Sequence, residues 1–356
     1  MESHTPENIL IVRTDRIGDV VLSLPMVSVL RASFPAAQIS MLLRSYTKPL
    51  AEGYRGLDRI VLYDEKGIEK PFGKMVKELK REKFDTAVVS YPTFRLALLM
   101  FLSRIPNRVG TGYRWYSFLF NVRVYEHRKT AEKHEAEYNL SLLKTLGCDV
   151  PPVPAISLPI SKEDEQGAEQ IRVALNLRKG EKAAVLHPGS GGSARDWSVE
   201  NFAELTRLLS NDGFQVVISG GPGESTLVDH VVSKSGNKGI PLTNIRNLKL
   251  LAAFLKSVDI FVSNSTGPLH VAAVVGTPVI GLYPPIVACS PIRWGPLTDK
   301  KQIFVPNAKE CPRCKGGPCQ GNECMDLITP EQVLAAVKDL VAARNVQPIV
   351  QPKVGV

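Results

Sequence analysis

The stretch DIFVSNSTGPLHVAAVVGTPVIGLYPP, Asp259 to Pro285, decides the fold. An apolar, β-branched run leads into a turn of Ser, Asn, Thr and Gly, and then into a helical segment and a second strand. Strand, helix and strand in that order are a parallel βαβ unit. Ser265, Thr266 and Gly267 lie where the helix begins and Pro268 falls near its first positions, so hydroxyl and amide donors converge on one point. An anion suits that point. His270, a few residues further on, can donate to the same phosphate or can be a satisfied core histidine on an apolar face.

The same rhythm extends outward in both directions. Upstream lie AAVLH (Ala183–His187) and QVVIS (Gln215–Ser219), and the first half carries ILIV (Ile9–Val12), QISMLL (Gln38–Leu43), RIVLY (Arg59–Tyr63) and DTAVVSY (Asp85–Tyr91). Mixed segments separate these runs, among them a Lys-rich amphipathic stretch near Gly73–Lys83 that reads as a surface helix. The chain is therefore expected to be α/β, with two Rossmann-like parallel-sheet domains facing across a cleft. CDVPPVPAISLPI from Cys148 carries four prolines and marks the linker, which puts the domains at residues 1–160 and 161–328. TPEQVLAAVKDLVAARN reads as a closing helix over 329–345, and 346–356 reads as a frayed tail.

Three further segments carry candidate chemistry. In RTDRIGDVVLSLPMVSVLR (Arg13–Arg31), a strand ends, a loop passes Gly18, and Asp19 opens an apolar helical run. A carboxylate at the carboxyl end of a parallel strand can accept a proton from an attacking hydroxyl, although it can equally be a helix cap. Asp15 is a second acid in that loop, beside Arg13 and Arg16. In HPGSGGSARDWS, from His187 through Ser190 to Ser198, a Gly/Ser loop runs into a new helix. Its backbone amides and helix start suit a phosphate, and Arg195 can clamp a phosphate oxygen; an ordinary βα turn with a surface arginine reads the same way. In VVISGGPGES, Glu224 follows a Gly-rich turn and can accept from ribose hydroxyls. The spacing lacks the dinucleotide fingerprint, which argues against a nicotinamide enzyme.

The bulk figures narrow the partners. At 44% hydrophobic and 22% charged residues the composition is that of a globular protein, and no run approaches the roughly 18 apolar residues of a membrane span. With no secretory pattern at its start, the chain is expected to be cytoplasmic. A net charge of +9 favours an anionic partner, but no nucleic-acid-binding motif is present. From Arg104 to Lys133, Arg104, Arg108, Arg114, Arg123, Arg128, Lys129 and Lys133 interleave with Tyr113, Trp115, Tyr116, Phe118 and Phe120. That mixture suits a phosphorylated lipid or membrane surface, or else a loop with a solvated helix face. Cys311, Cys314, Cys319 and Cys324 can close a structural zinc site, form disulfides or stay as thiols.

Taken in order, RTDRIGDVVLSLP, KHEAEYNLSLL, HPGSGGSARDW, ISGGPGE, SNSTGPLHVAAVVGTPVIGLY and the terminal cysteine cluster resemble glycosyltransferase family 9, the ADP-heptose lipopolysaccharide heptosyltransferases. The resemblance spans nearly the whole chain. It implies a GT-B fold with a nucleotide-sugar donor in the C-terminal domain and a phosphorylated glycolipid acceptor in the N-terminal one. It also implies inverting transfer from ADP-heptose with no required cofactor, at the inner-membrane face. Carried over, Asp19 is the base, Arg195 binds phosphate, Glu224 binds ribose, and Thr266, Gly267 and His270 form the diphosphate turn. His187, Ser190 and Ser265 complete the expected donor site, while Arg16, Arg114 and Arg123 are expected acceptor ligands. Two positions depart from the family: Asn264 and Ser265 stand where an acid is frequent, and Arg195 where Lys is common. The rival functional readings are a non-catalytic nucleotide-sugar binder and a family transferase using a different sugar or acceptor.

Overall fold

The computed structural model describes residues 5–243, 245–307, 309 and 324–346. The first sheet is built from β1 (Asn8–Val12), β2 (Gln38–Leu43), β3 (Arg59–Leu62), β6 (Thr86–Val89), β7 (Asn107–Thr111) and β8 (Val122–Val124); a small hairpin of β4 (Asp64–Glu65) and β5 (Ile68–Glu69) precedes β6. All its pairings are parallel, in the order β3-β2-β1-β6-β7-β8. The second sheet, from β9 (Ala183–His187), β10 (Gln215–Ser219), β11 (Gly239–Leu242), β12 (Ile260–Asn264), β13 (Val279–Leu282) and β14 (Lys301–Phe304), repeats that order as β11-β10-β9-β12-β13-β14, again all parallel. Skipping the hairpin, both sheets are doubly wound, and the strand order reverses beside the first strand of each.

Parallel strands covered by helices on both faces read as continuous apolar runs, which is why the central strands were legible. Ile9 to Val12 are all fully buried, as are Ala184 to Leu186. The helix Phe72–Glu82 buries Met75 and Leu79, one turn apart, and ends where Lys83 turns left-handed. The helix Pro330–Val346 sets Val333, Val337 and Val341 into the core of the second sheet beside Trp197 and Phe202.

Besides the hairpin strands β4 and β5, four strands of the two large sheets escaped the sequence pattern: β7, β8, β11 and β14. Of these, β8, β11 and β14 are edge strands, where one side needs no partner and polar residues or Pro241 are tolerated, while β7 lies next to the edge between β6 and β8. Two of them replace the solvated helix considered for the basic run: between Arg104 and Lys133 the chain forms β7, β8 and two short 3-10 turns, Ser117–Leu119 and Arg128–Thr130.

The chain divides into two compact units. One contains residues 1–166, Arg246–Ala253 and Ile286–Leu297; the other contains Gly167–Ile245, Phe254–Pro285 and the remainder from Thr298. The proline-rich stretch 148–161 carries neither helix nor strand.

Candidate active site

In the first unit, β1 runs into Arg13, which is 2% exposed although its guanidinium is charged. Every side of the fork is engaged. Nε donates to Asp15 Oδ1 at 2.8 Å, one terminal nitrogen donates to Asp19 Oδ1, and the other reaches Asn139 Oδ1 at 3.2 Å and Glu135 Oε1 at 3.3 Å. Such complete satisfaction is what allows an arginine to be buried. Glu135, itself 1% exposed, also accepts from Arg128 and, through Oε2, from Arg293 Nε at 3.0 Å. Three carboxylates thus face three guanidiniums at the carboxyl end of β1.

Asp19 lies inside the helix Ile17–Val21, whose cap residue is Arg16. The capping alternative therefore fails, because the Asp19 carboxylate turns to Arg13 instead. It is the most exposed acid of the cluster, at 16% against 11% for Asp15 and 1% for Glu135. Asp15 is pushed up to about 7, mainly because burial penalises its charge and partly because Asp19 stands beside it, while Arg13 opposes the rise. Arg13, with three acids around it, stays protonated. The Tyr46 hydroxyl donates to the Asp15 carbonyl at 2.7 Å and closes the loop from outside.

Of the expected acceptor ligands, Arg16 is exposed at the cap of the helix Ile17–Val21. Arg114 and Arg123 are exposed elsewhere, and among the described residues neither bonds to the Arg13 cluster. They flank an aromatic face on which Phe94 stacks on Trp115 at 4.9 Å and Tyr113 on His127 at 4.0 Å.

In the second unit the expected donor residues gather at the carboxyl ends of β9, β10 and β12. His187 ends β9, is buried, and meets Ser219 Oγ at 3.0 Å through Nδ1 and Glu224 Oε2 at 3.8 Å through Nε2. Burial lowers its proton affinity, although Glu224 opposes this, so the ring is neutral. Glu224 caps its own turn by accepting the Gly221 N–H at 2.6 Å, and its carboxylate lies where a Cβ on Gly189 would be. Gly189 is therefore required for Glu224 to reach the Gly/Ser loop.

That loop is tied to β12. Ser193 Oγ donates to Ser190 O at 2.6 Å and to Ser265 O at 3.1 Å, and Ser190 Oγ donates to Ala194 O. The fully buried Asn264 donates from Nδ2 to Pro188 O at 2.6 Å and accepts the Trp197 N–H at 2.9 Å. Thr266 is the cap residue of the helix Gly267–Val274, which follows β12 directly and carries Pro at its first turn and the buried His270 within it. Buried Tyr283 bonds to Ser265, and burial pushes its phenol far up. Arg195 sits half-buried in the loop. Burial likewise raises Asp196, which bonds to Ser190.

The structure thus brings His187, Ser190, Glu224, Ser265 and the Thr266–Gly267 helix start together. Sequence reasoning assigned no role to Glu135, Asn139, Arg293, Ser219 or Tyr283. The first two were readable: they stand four residues apart in KHEAEYNLSLL and so share a helix face. Cys324 is buried in the core of the second unit, while Cys311, Cys314 and Cys319, and with them the zinc reading, lie outside the described residues.

Two doubly wound parallel sheets, each with polar side chains gathered at its reversal point, are the architecture of the GT-B class. The profile of glycosyltransferase family 9 (heptosyltransferase) matches residues 72–324. A Haemophilus influenzae protein named only as a glycosyltransferase is 31% identical over 93% of this chain and 96% of its own. A lipopolysaccharide core heptosyltransferase of the same organism is 24% identical over 95% and 98%. The structure of Escherichia coli ADP-heptose lipopolysaccharide heptosyltransferase II superposes with a TM-score of 0.77 at 22% identity, covering 95% of this chain and 99% of that one. The chain belongs to glycosyltransferase family 9, the heptosyltransferase family.

Proposed function

We propose that this enzyme transfers a heptose from ADP-heptose to an inner-core lipopolysaccharide acceptor, with inversion and without a metal. The observation that carries the reading is Asp19, the most exposed carboxylate of a buried ionic cluster at the carboxyl end of β1. Asp19 takes the proton of the acceptor hydroxyl as that oxygen bonds to the anomeric carbon, and the bond from that carbon to the diphosphate breaks with its electron pair leaving on ADP. Arg195 and the helix start at Thr266, Gly267 and His270 stabilise the charge growing on the diphosphate. Glu224 accepts from the ribose hydroxyls, and Ser190, Ser265 and His187 shape the donor turn. Support comes from family membership, from the gathering of the donor residues on one sheet edge, and from relatives named for lipopolysaccharide and ADP-heptose.

The acceptor side belongs to the first unit, with Arg16, Arg114 and Arg123 as phosphate ligands. Between Asp85 and Glu126 there is no acidic residue but five arginines, and Trp115 and Phe118 are 73% and 63% exposed. A basic, aromatic surface of this kind fits a peripheral protein at an anionic membrane face. No described helix is long and apolar enough to cross a membrane.

The test is ADP release from ADP-heptose and control nucleotide-sugars, with a core lipopolysaccharide acceptor and excess chelator, for wild type and Asp19→Asn. Release by wild type alone, with ADP binding retained in the variant, is the expected result. Activity surviving in Asp19→Asn moves the base elsewhere, and a preference for another donor replaces the sugar.

A further inference from the structure

We propose that Glu135 is a positioning residue for the base: it fixes the Arg13 guanidinium, and that guanidinium orients Asp19 and Asp15. The inference rests on Asp19 being the base, but its geometry stands by itself. Arg13 could be satisfied by Asp15 and Asp19 alone if only charge neutrality were required. It instead spends its inner nitrogen on Glu135 and Asn139, both from the helix Glu135–Ser141, and on Ser90 O at the end of β6. Glu135 in turn draws on two more cations from separate segments, Arg128 from its 3-10 turn and Arg293 from Ile286–Leu297.

A triply paired buried carboxylate is a poor device for stability, because well-packed apolar residues would fill the same volume at less desolvation cost. It is a good device for fixing an orientation. Arg13 is held from the inside, so the fork it presents outward, Nε to Asp15 and one terminal nitrogen to Asp19, has a single direction. The segment that supplies Arg293 is itself pinned: Arg293 donates to Arg128 O at 3.1 Å, and His134, the cap of the Glu135 helix, meets Gly295 O at 2.8 Å. The charged and titratable groups facing the acid pair are Arg13 and Glu135 behind it, Arg128 and Arg293 beyond them, and Arg16, Arg44 and Tyr46 from the loops outside.

Glu135→Gln keeps the volume and an acceptor but removes the charge. Its kcat is expected to fall roughly tenfold or more, as small displacements of a catalytic group do, with an unchanged KM for ADP-heptose. Carbon NMR of the carboxyl groups is expected to show Asp15 titrating at lower pH, because the arginines have lost a counter-charge. Arg293→Gln, which removes a cation, is expected to move the same titration to higher pH. A purely structural Glu135 would lower the melting temperature without opposite shifts. A folded Glu135→Gln with wild-type kcat and titration overturns the proposal. If Glu135→Gln does not fold, an Arg293→Gln titration that stays put or moves down overturns it instead. Activity in Asp19→Asn would remove the base assignment while leaving the titration result to judge the positioning of Arg13.

Discussion

Asn264 and Trp197 are locked together, the Asn264 side-chain carbonyl accepting the Trp197 amide at 2.9 Å while its NH2 donates to Pro188 O at 2.6 Å. One buried amide thereby closes both ends of the Gly/Ser loop onto the last residue of β12. Only a group with both a donor and an acceptor can do this, and an asparagine side chain has both. Asn264→Asp sets a carboxylate oxygen against the Pro188 carbonyl and leaves both unsatisfied. The variant is expected to lose about 1–3 kcal/mol in denaturant unfolding and to bind ADP more weakly, with the Asp19 side untouched. Unfolding curves and calorimetric ADP titration check both parts.

Gly189→Ala probes the contact between the loop and Glu224. The added methyl meets the Glu224 carboxylate, so the side chain must leave its place beside His187 or the loop must shift. Overpacking of this sort costs about 1–3 kcal/mol. Weaker ADP binding is expected, and Glu224→Gln combined with Gly189→Ala is expected to be less than additive because both act on one contact. Full additivity would separate the two residues.

Asp15 gives the stability a pH signature. Its folded value of about 7 lies above its ordinary carboxyl value of 3.8, so the native state binds the extra proton across that window. Stability is therefore highest, as far as this group decides it, below the unfolded value, and it is lost as pH rises through 7. Asp15→Asn removes the dependence. The difference in melting temperature between variant and wild type is expected to grow in the variant's favour from pH 4 to pH 8, and a constant difference refutes the assignment.

Trp115→Ser with Phe118→Ser tests the aromatic face. Both side chains are mostly exposed, so folding stability should change by no more than about 0.5 kcal/mol per site. Binding to vesicles containing phosphatidylglycerol should fall, binding to phosphatidylcholine vesicles should be weak throughout, and added salt should mimic the arginine-to-glutamine changes at Arg114 and Arg123. Equal co-sedimentation of the variant and wild type removes the face from the membrane reading.

The sequence pattern made the central strands and the switch-point loops legible because parallel strands buried on both faces are continuous apolar runs, as in Ala183–His187. Edge strands such as Val122–Val124 are short and half-exposed, and left no such run. Among site residues, those within one motif were readable, including Ser265, Thr266 and Gly267. The pairing of Arg13 with Glu135, and of Glu135 with Arg293, was not, since each pair is separated by more than a hundred residues and charge pairing has no period to follow.

The interleaving of the two units has a consequence for synthesis. When the ribosome has delivered residues 1–166, every strand of the first sheet is present, yet Arg293 has still to be made. Glu135 then waits with a guanidinium missing, in a place where an under-compensated charge is costly. The first unit reaches its final form only after most of the second has emerged, so late translation, rather than early collapse, completes the ionic cluster at the carboxyl end of β1. A chain stopped before Ile286 would hold the sheet without the finished site.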